Sequence, residues 1–194
     1  SSDDVDPISG ISFGLDYVLS ENISLYTEFA HLLGETQNYN NESQNLGNGI
    51  ILPGLIFKFN NGTFQLEGRH TLMKNFIFNY WDTSYDIQRT VRESSSSEIY
   101  HTKESELYRY GKMNGVYAFF SYDILKIMSF GIGYQDMIGD VWDGASSKYI
   151  KDSNRSFRSS LNLNPNLIPK VSKVEYFYQR NNDLDFNLLE LFTE

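Results

Sequence analysis

Three histidines, His31, His70 and His101, are the residues of the 194-residue chain whose ordinary titration lies nearest neutrality. An imidazole placed by Ser, Asp or Asn is the working part of many hydrolytic sites, so these positions are the first candidates for acid–base or nucleophilic chemistry. His70 shares its alternation parity with Phe64, Leu66 and Leu72, however, and no serine sits in a recognisable nucleophile motif. Catalysis is therefore assigned to no residue. The chain has no cysteine, which removes disulfides, thiol catalysis and Cys-based zinc sites. In "DMIGDVWDG", Asp136, Asp140 and Asp143 fall within eight residues of one another. Three carboxylates in one loop could bind Ca²⁺ if the backbone folded them together, although the spacing matches no EF-hand. They are the one candidate metal set, and no cofactor is expected. A last group is ionic: Glu28, Lys58, Glu67, Arg69 and Arg158 all interrupt otherwise apolar stretches in mid-segment.

The elements that carry these residues read as β-strands. In "GLIFKFNNGTFQLEGRHTL" (54–72), apolar residues alternate with polar ones on both sides of Asn60-Asn61-Gly62, the pattern of a hairpin with one greasy face. The same alternation recurs over 11–19, 23–33, 50–59, 63–73, 115–124, 128–136, 156–164 and 172–180, with a last segment over 183–192. Over 128–136 it is cleanest, with Met128, Phe130, Ile132 and Tyr134 set against Ser129, Gly131, Gly133 and Gln135. Hydrophobic residues make up 40% of the chain and aromatics 15%, so apolar character is thin and spread along many strands. The net charge of −9 leaves no basic stripe for phosphates, and nucleic acid is not an expected partner. No apolar run is long enough for a membrane-spanning helix. "SSDDVDPISG" is polar and acidic and is not a leader peptide, so the chain is read as a trimmed form or as beginning partway through a longer protein.

Connections alternate between short ones ("SEN", "NNG", "LKI", "PNLIPK") and long polar ones, placed at about 34–49, 79–114 and 138–155. In this respect, and in its strands of about ten residues and its many aromatics near strand ends (Tyr17, Tyr26, Phe29, Phe57, Phe76, Trp81, Tyr122, Tyr134, Phe157), the chain resembles bacterial outer-membrane β-barrel proteins as a class. Two features depart from the class: the final "LFTE" lacks the usual terminal aromatic, and the first strand leads into a short turn.

The resemblance implies an all-β fold, an antiparallel up-and-down transmembrane β-barrel, of which residues 1–194 form a single segment: the C-terminal part, about 8–9 strands, of a larger barrel. It places Glu28, Lys58, Glu67, Arg69 and Arg158 on a wet lumen and Phe57, Phe64, Leu66, Phe130, Ile132 and Leu161 against lipid. The implied role is a pore, transporter or structural scaffold in the bacterial outer membrane, without covalent chemistry. The implied partners are outer-membrane lipid and lipopolysaccharide, other subunits or the missing part of the barrel; a cation at the three aspartates would bridge to lipopolysaccharide phosphates. Two alternatives stay open. One is a soluble or periplasmic antiparallel β protein that binds a ligand and buries its apolar faces as a core. The other is an outer-membrane barrel hydrolase built on His70 or His31. Tyr117, Phe119 and Phe177 are expected to fill interior space that Ser129, Gly131 and Gly133 leave open. Of the long connections, "RESSSSEIYHTKESE" (92–106) reads as an outer loop and "WDTSYDIQR" (81–89) as an ordered element over the barrel mouth or a strand extension.

Overall fold

A computed structural model of the chain describes residues 8–80, 90–92, 100–124, 127–163 and 173–183. The expectations for 81–89, for the serines of 94–97 and for the final alternating segment lie outside these residues. Nearly everything described is strand: β1 (Ser9–Ser20), β2 (Ile23–Leu33), β3 (Glu35–Gln37), β4 (Ser43–Asn45), β5 (Asn48–Phe59), β6 (Gly62–Thr71), β7 (Thr90–Arg92), β8 (Tyr100–Thr102), β9 (Tyr110–Ile124), β10 (Met128–Asp143), β11 (Lys148–Leu163) and β12 (Val174–Asp183). A single 3₁₀ turn, Leu107–Arg109, is the helical content among the described residues. Eight strands form one antiparallel sheet in the order β1-β2-β5-β6-β9-β10-β11-β12, so each lies beside its neighbours in sequence. Ribbons β3–β4 and β7–β8 sit within the two longest connections.

Tight turns produce this meander. Glu21-Asn22 joins β1 to β2, and Asn60-Asn61 joins β5 to β6, with Asn60 at φ 36°. Asparagine tolerates that left-handed backbone better than most residues. The turns also bond to the next hairpin at the same end of the sheet: Lys58 N–H donates to Asn22 O at 2.8 Å, and Asp123 N–H to Asn61 O at 2.8 Å.

The hairpin of β10 and β11 corrects the expected open loop at 138–155. Its ladder runs on from Tyr134↔Phe157 to Asp143↔Lys148, leaving 144–147 as the turn. The alternation seemed to stop at Asp136 because it changes face there. Up to Tyr134 the apolar residues stand at even positions; beyond it Met137 and Val141 are the buried ones and Asp136 and Asp140 face the other way. Strand β9 likewise starts earlier than expected, at Tyr110, with Met113 buried.

The described core sits at the long-connection end and not in mid-sheet. Chain 72–80 does not prolong β6; it folds back over the sheet. Gly47 N–H donates to Asn75 O at 3.2 Å and Asn75 N–H to Tyr110 O at 2.7 Å. Leu32, Leu46, Phe76, Ile77, Tyr80 and Leu107 form one buried cluster, and Met113, Met137 and Val141 a second that meets it through Phe78 and Tyr110. A Cβ on Gly49 would stand 2.5 Å from the Phe76 ring, so the bare glycine lets this segment lie against the sheet. Nearby, Tyr39 stacks on Trp142 at 3.9 Å, tying the β2–β5 connection to the long hairpin.

The two faces of the sheet differ in character and in exposure. One face carries Phe13, Leu15, Leu25, Leu55, Phe57, Phe64, Leu66, Val116, Phe120, Phe130, Ile132, Leu161 and Tyr176, adjacent through the register. Several of these are largely uncovered: Phe13 is 72% exposed, Val116 54% and Ile132 45%. The opposite face carries Tyr26, Gln65, Glu67, Arg69, Tyr117, Gln135, Ser156 and Arg158, and there Glu67 and Gln135 are each 3% exposed. No second sheet packs on the apolar face among the described residues.

Candidate functional site

The polar residues converge because glycines on neighbouring strands let long side chains lie flat. Tyr26 on β2 lies over Gly54 of β5, where an added Cβ would stand 2.5 Å from the ring. Lying there, Tyr26 crosses β5 and donates its hydroxyl to Glu67 Oε1 on β6 at 2.5 Å. Gln65 Nε2 donates to the same Glu67 oxygen at 2.5 Å and to the Tyr26 hydroxyl at 2.6 Å. Arg69 Nε donates to Glu67 Oε2 at 2.6 Å, and another Arg69 nitrogen donates to Gln135 Oε1 on β10. Both oxygens of a buried carboxylate are thus filled by one cation and two neutral donors, which offsets the loss of water on burial.

Tyr117 of β9 stands at the centre of the site. The Arg69 guanidinium lies 4.0 Å from its ring centroid and that of Arg158 5.3 Å, while Arg158 also lies 4.5 Å from the Phe119 ring. Stacking on aromatic faces holds both cations against the sheet. The room comes from Gly131 and Gly133 on β10: a Cβ on Gly131 would meet the Phe119 ring at 3.1 Å, and one on Gly133 would meet Arg158 Nε at 2.9 Å. This is the space-filling expected of Tyr117 and Phe119; Phe177, on the same face, is 39% exposed instead.

Above these residues lies a cavity of about 190 Å³, walled by β6, β9, β10, β11 and β12 and by Phe78 and Asn79 of the folded-back segment. Asn79 Nδ2 reaches Ser156 Oγ at 3.4 Å. Strands β6 and β12 would stand roughly 19 Å apart in a flat sheet at about 4.8 Å per strand. A cavity this small touches both because the sheet curls round its polar face.

Of the five ionic residues singled out in the sequence, the structure gathers three, Glu67, Arg69 and Arg158, around this cavity. Glu28 is on the same face but lines a separate cavity of about 520 Å³ with Ala30, Phe76 and Tyr80. Lys58 is on the same face too, but it pairs with Thr63 beside the Asn60-Asn61 turn, exposed and apart from Glu67, which is level with Gly54. Phe57, Phe64, Leu66, Phe130, Ile132 and Leu161 all stand on the apolar face, as the alternation required. Two of the expected rim aromatics do not. Tyr26 belongs to the polar network, and Phe76 is 3% exposed in the core. Trp81 is outside the described residues.

The three aspartates are not brought together. All lie on β10, and Asp136 and Asp143 stand about 23 Å apart at about 3.3 Å per residue. Asp136 faces Arg155 at 3.4 Å, Asp140 faces Lys151 at 2.7 Å, and Asp143 holds the hairpin turn through Ala145 N–H and Ser146. Among the described residues no group of three acidic or histidine side chains could hold a metal ion. His70 stands on the apolar face with Nδ1 2.9 Å from Asn114 Oδ1 and Nε2 3.0 Å from Leu52 O. His31 is next to Ile11 in the register, and no described serine hydrogen-bonds either ring.

Sequence reasoning missed Tyr26, Gln65 and Gln135 as members of the site. Their parity was legible, since each alternates with apolar residues. Their partners were not, because these depend on which residues stand level across three strands. No protein-family model, curated protein or solved structure matches the chain.

Proposed function

We propose that the curled sheet is wall of a transmembrane β-barrel in the bacterial outer membrane, acting as a pore, transporter or scaffold without covalent chemistry. In this reading hydrocarbon covers the apolar face and the polar network faces the lumen. One observation carries the proposal: the mid-sheet apolar residues are exposed while Glu67, Gln135 and their partners are buried behind them. Across eight strands at about 4.8 Å, and about seven residues at about 3.3 Å, the apolar band covers roughly 800 Å². Soluble monomers rarely leave a largest patch above about 300–600 Å². The band also stops where it should for a membrane. Beyond Tyr134 the same face turns to the ion pairs Asp136–Arg155 and Asp140–Lys151, which suit the lipopolysaccharide headgroup region.

Electrophoretic mobility tests this directly. The folded chain in SDS is expected to migrate differently before and after boiling, and to require detergent for solubility. A chain that stays monomeric and fully soluble without detergent, with one mobility throughout, would end the proposal.

A further inference from the structure

The described residues lining the 190 Å³ cavity include one carboxylate, Glu67, and two guanidinium groups, Arg69 and Arg158. Both oxygens of Glu67 already accept hydrogen bonds from Tyr26, Gln65 and Arg69. Among the described residues no carboxylate pairs with Arg158. Its Nε is buried without a well-aligned acceptor, and the hydroxyl of Tyr117, a residue 7% exposed, has the Arg158 guanidinium beside it and no acceptor for its own proton. Both residues line the cavity and pack against Gly133 of β10, where a Cβ would stand 2.9 Å from Arg158 Nε and 3.0 Å from the Tyr117 oxygen. Gln135 lines the same space, and its carbonyl is taken by Arg69, which leaves its amide N–H groups as further donors.

We propose that this cavity binds a small monoanion, a halide or a short carboxylate, held by the Arg158 guanidinium and the Tyr117 hydroxyl. Arg158 is half-buried with no counter-charge beside it, and ring faces satisfy its charge only in part. One anion removes the imbalance and supplies acceptors to both orphan donors. The number of donors sets the class: one guanidinium and one hydroxyl match an anion with one or two acceptor atoms, and the cavity of about 190 Å³ has room for it with a few waters. The surplus positive charge is local, because the chain as a whole carries −9. The inference stands on the geometry of the polar face and is independent of what covers the apolar face.

Thermal unfolding of the full chain in a non-ionic detergent, at matched ionic strength, tests it. Sodium formate and sodium chloride are expected to raise the midpoint saturably relative to sodium gluconate, a much larger anion. Arg158→Gln is expected to abolish this response, and Tyr117→Phe to raise the half-saturating formate concentration at least threefold. Gly133→Ala, which drives a methyl into both Arg158 and Tyr117, is expected to act like Arg158→Gln. No saturable difference between formate and gluconate in the parent chain, or an equal response in Arg158→Gln, overturns the proposal. If Arg158→Gln does not fold, unchanged half-saturation in both Tyr117→Phe and Gly133→Ala overturns it. Because the readout involves no bilayer, its failure leaves the membrane reading standing, and failure of the membrane reading leaves it measurable.

Discussion

Ile132→Arg separates a lipid-covered face from a wet one. Ile132 is 45% exposed, between Phe120 of β9 and Ser159 of β11 on the apolar face. In water an arginine at so open a position displaces little and is expected to cost within about 0.5 kcal/mol. In the middle of a hydrocarbon band the same change costs about 2–4 kcal/mol, a roughly 30- to 700-fold shift in the folding equilibrium. The control lies on the same strand and face. Ile138 is 61% exposed but stands between Asp136 and Asp140, about 20 Å along β10 from Ile132 at about 3.3 Å per residue. Beyond the band, Ile138→Arg should cost no more than about 1 kcal/mol. Reversible denaturant unfolding in lipid vesicles, followed by tryptophan emission, gives both values. Equal costs for the two variants, or an Ile132→Arg cost below about 1 kcal/mol, would refute the assignment of hydrocarbon to this face.

Other outcomes follow from single contacts. Glu67→Ala leaves Arg69 buried without its counter-charge and two neutral donors unmade, and should cost about 3–5 kcal/mol in denaturant unfolding. Adding Arg69→Ala should recover part of that loss, whereas strictly additive costs would show that the pair is not coupled. Gly54→Ala drives a methyl into the Tyr26 ring and should cost about 1–3 kcal/mol; with Tyr26→Ala in the background the penalty should shrink, and an undiminished penalty would place the clash elsewhere. At the hairpin turn, hydrogen bonds from the Ser146 hydroxyl and the Ala145 N–H hold the Asp143 carboxyl below the ordinary value of 3.8. A folded pKa lowered in this way means that the turn contact is intact above the ordinary value and lost as pH falls through the folded one. A carbon-13 titration of the Asp143 carboxyl should show its midpoint below the ordinary value and rising in Ser146→Ala; a midpoint unmoved by that change would remove the hydroxyl as the cause.

The extent to which the sheet was legible varies from strand to strand for one physical reason. Where apolar residues continue to a strand's end on whichever face, its limits are legible: β2 was expected at 23–33 and occupies Ile23–Leu33, with Leu32 turned to the core. Where a strand leaves the apolar band, the buried side changes, and the pattern reads as a loop. Met137 and Val141 face the core on the side that Gly131 and Gly133 occupy lower down. The rule that failed was a constant face, not the strand. The fold-back of 72–80 was illegible for a different reason. Leu72, Phe76 and Phe78 continue the even parity of β6, but Asn75, at φ 64°, turns the chain so that Phe76 enters the core.

Taken by itself, the amino-acid sequence determined the antiparallel meander, the identity of the apolar and polar faces and the placing of Glu67, Arg69 and Arg158 on the polar one. These are period-2 properties, and a strand carries its own period. Tertiary structure alone decided which ions meet. Glu67 with Arg69 and Tyr26, Arg158 with Tyr117, and the three aspartates parted along β10 all depend on register across several strands and on glycines at Gly54 and Gly133. Register is set by turn geometry and side-chain packing between strands distant in sequence, so no single strand contains it.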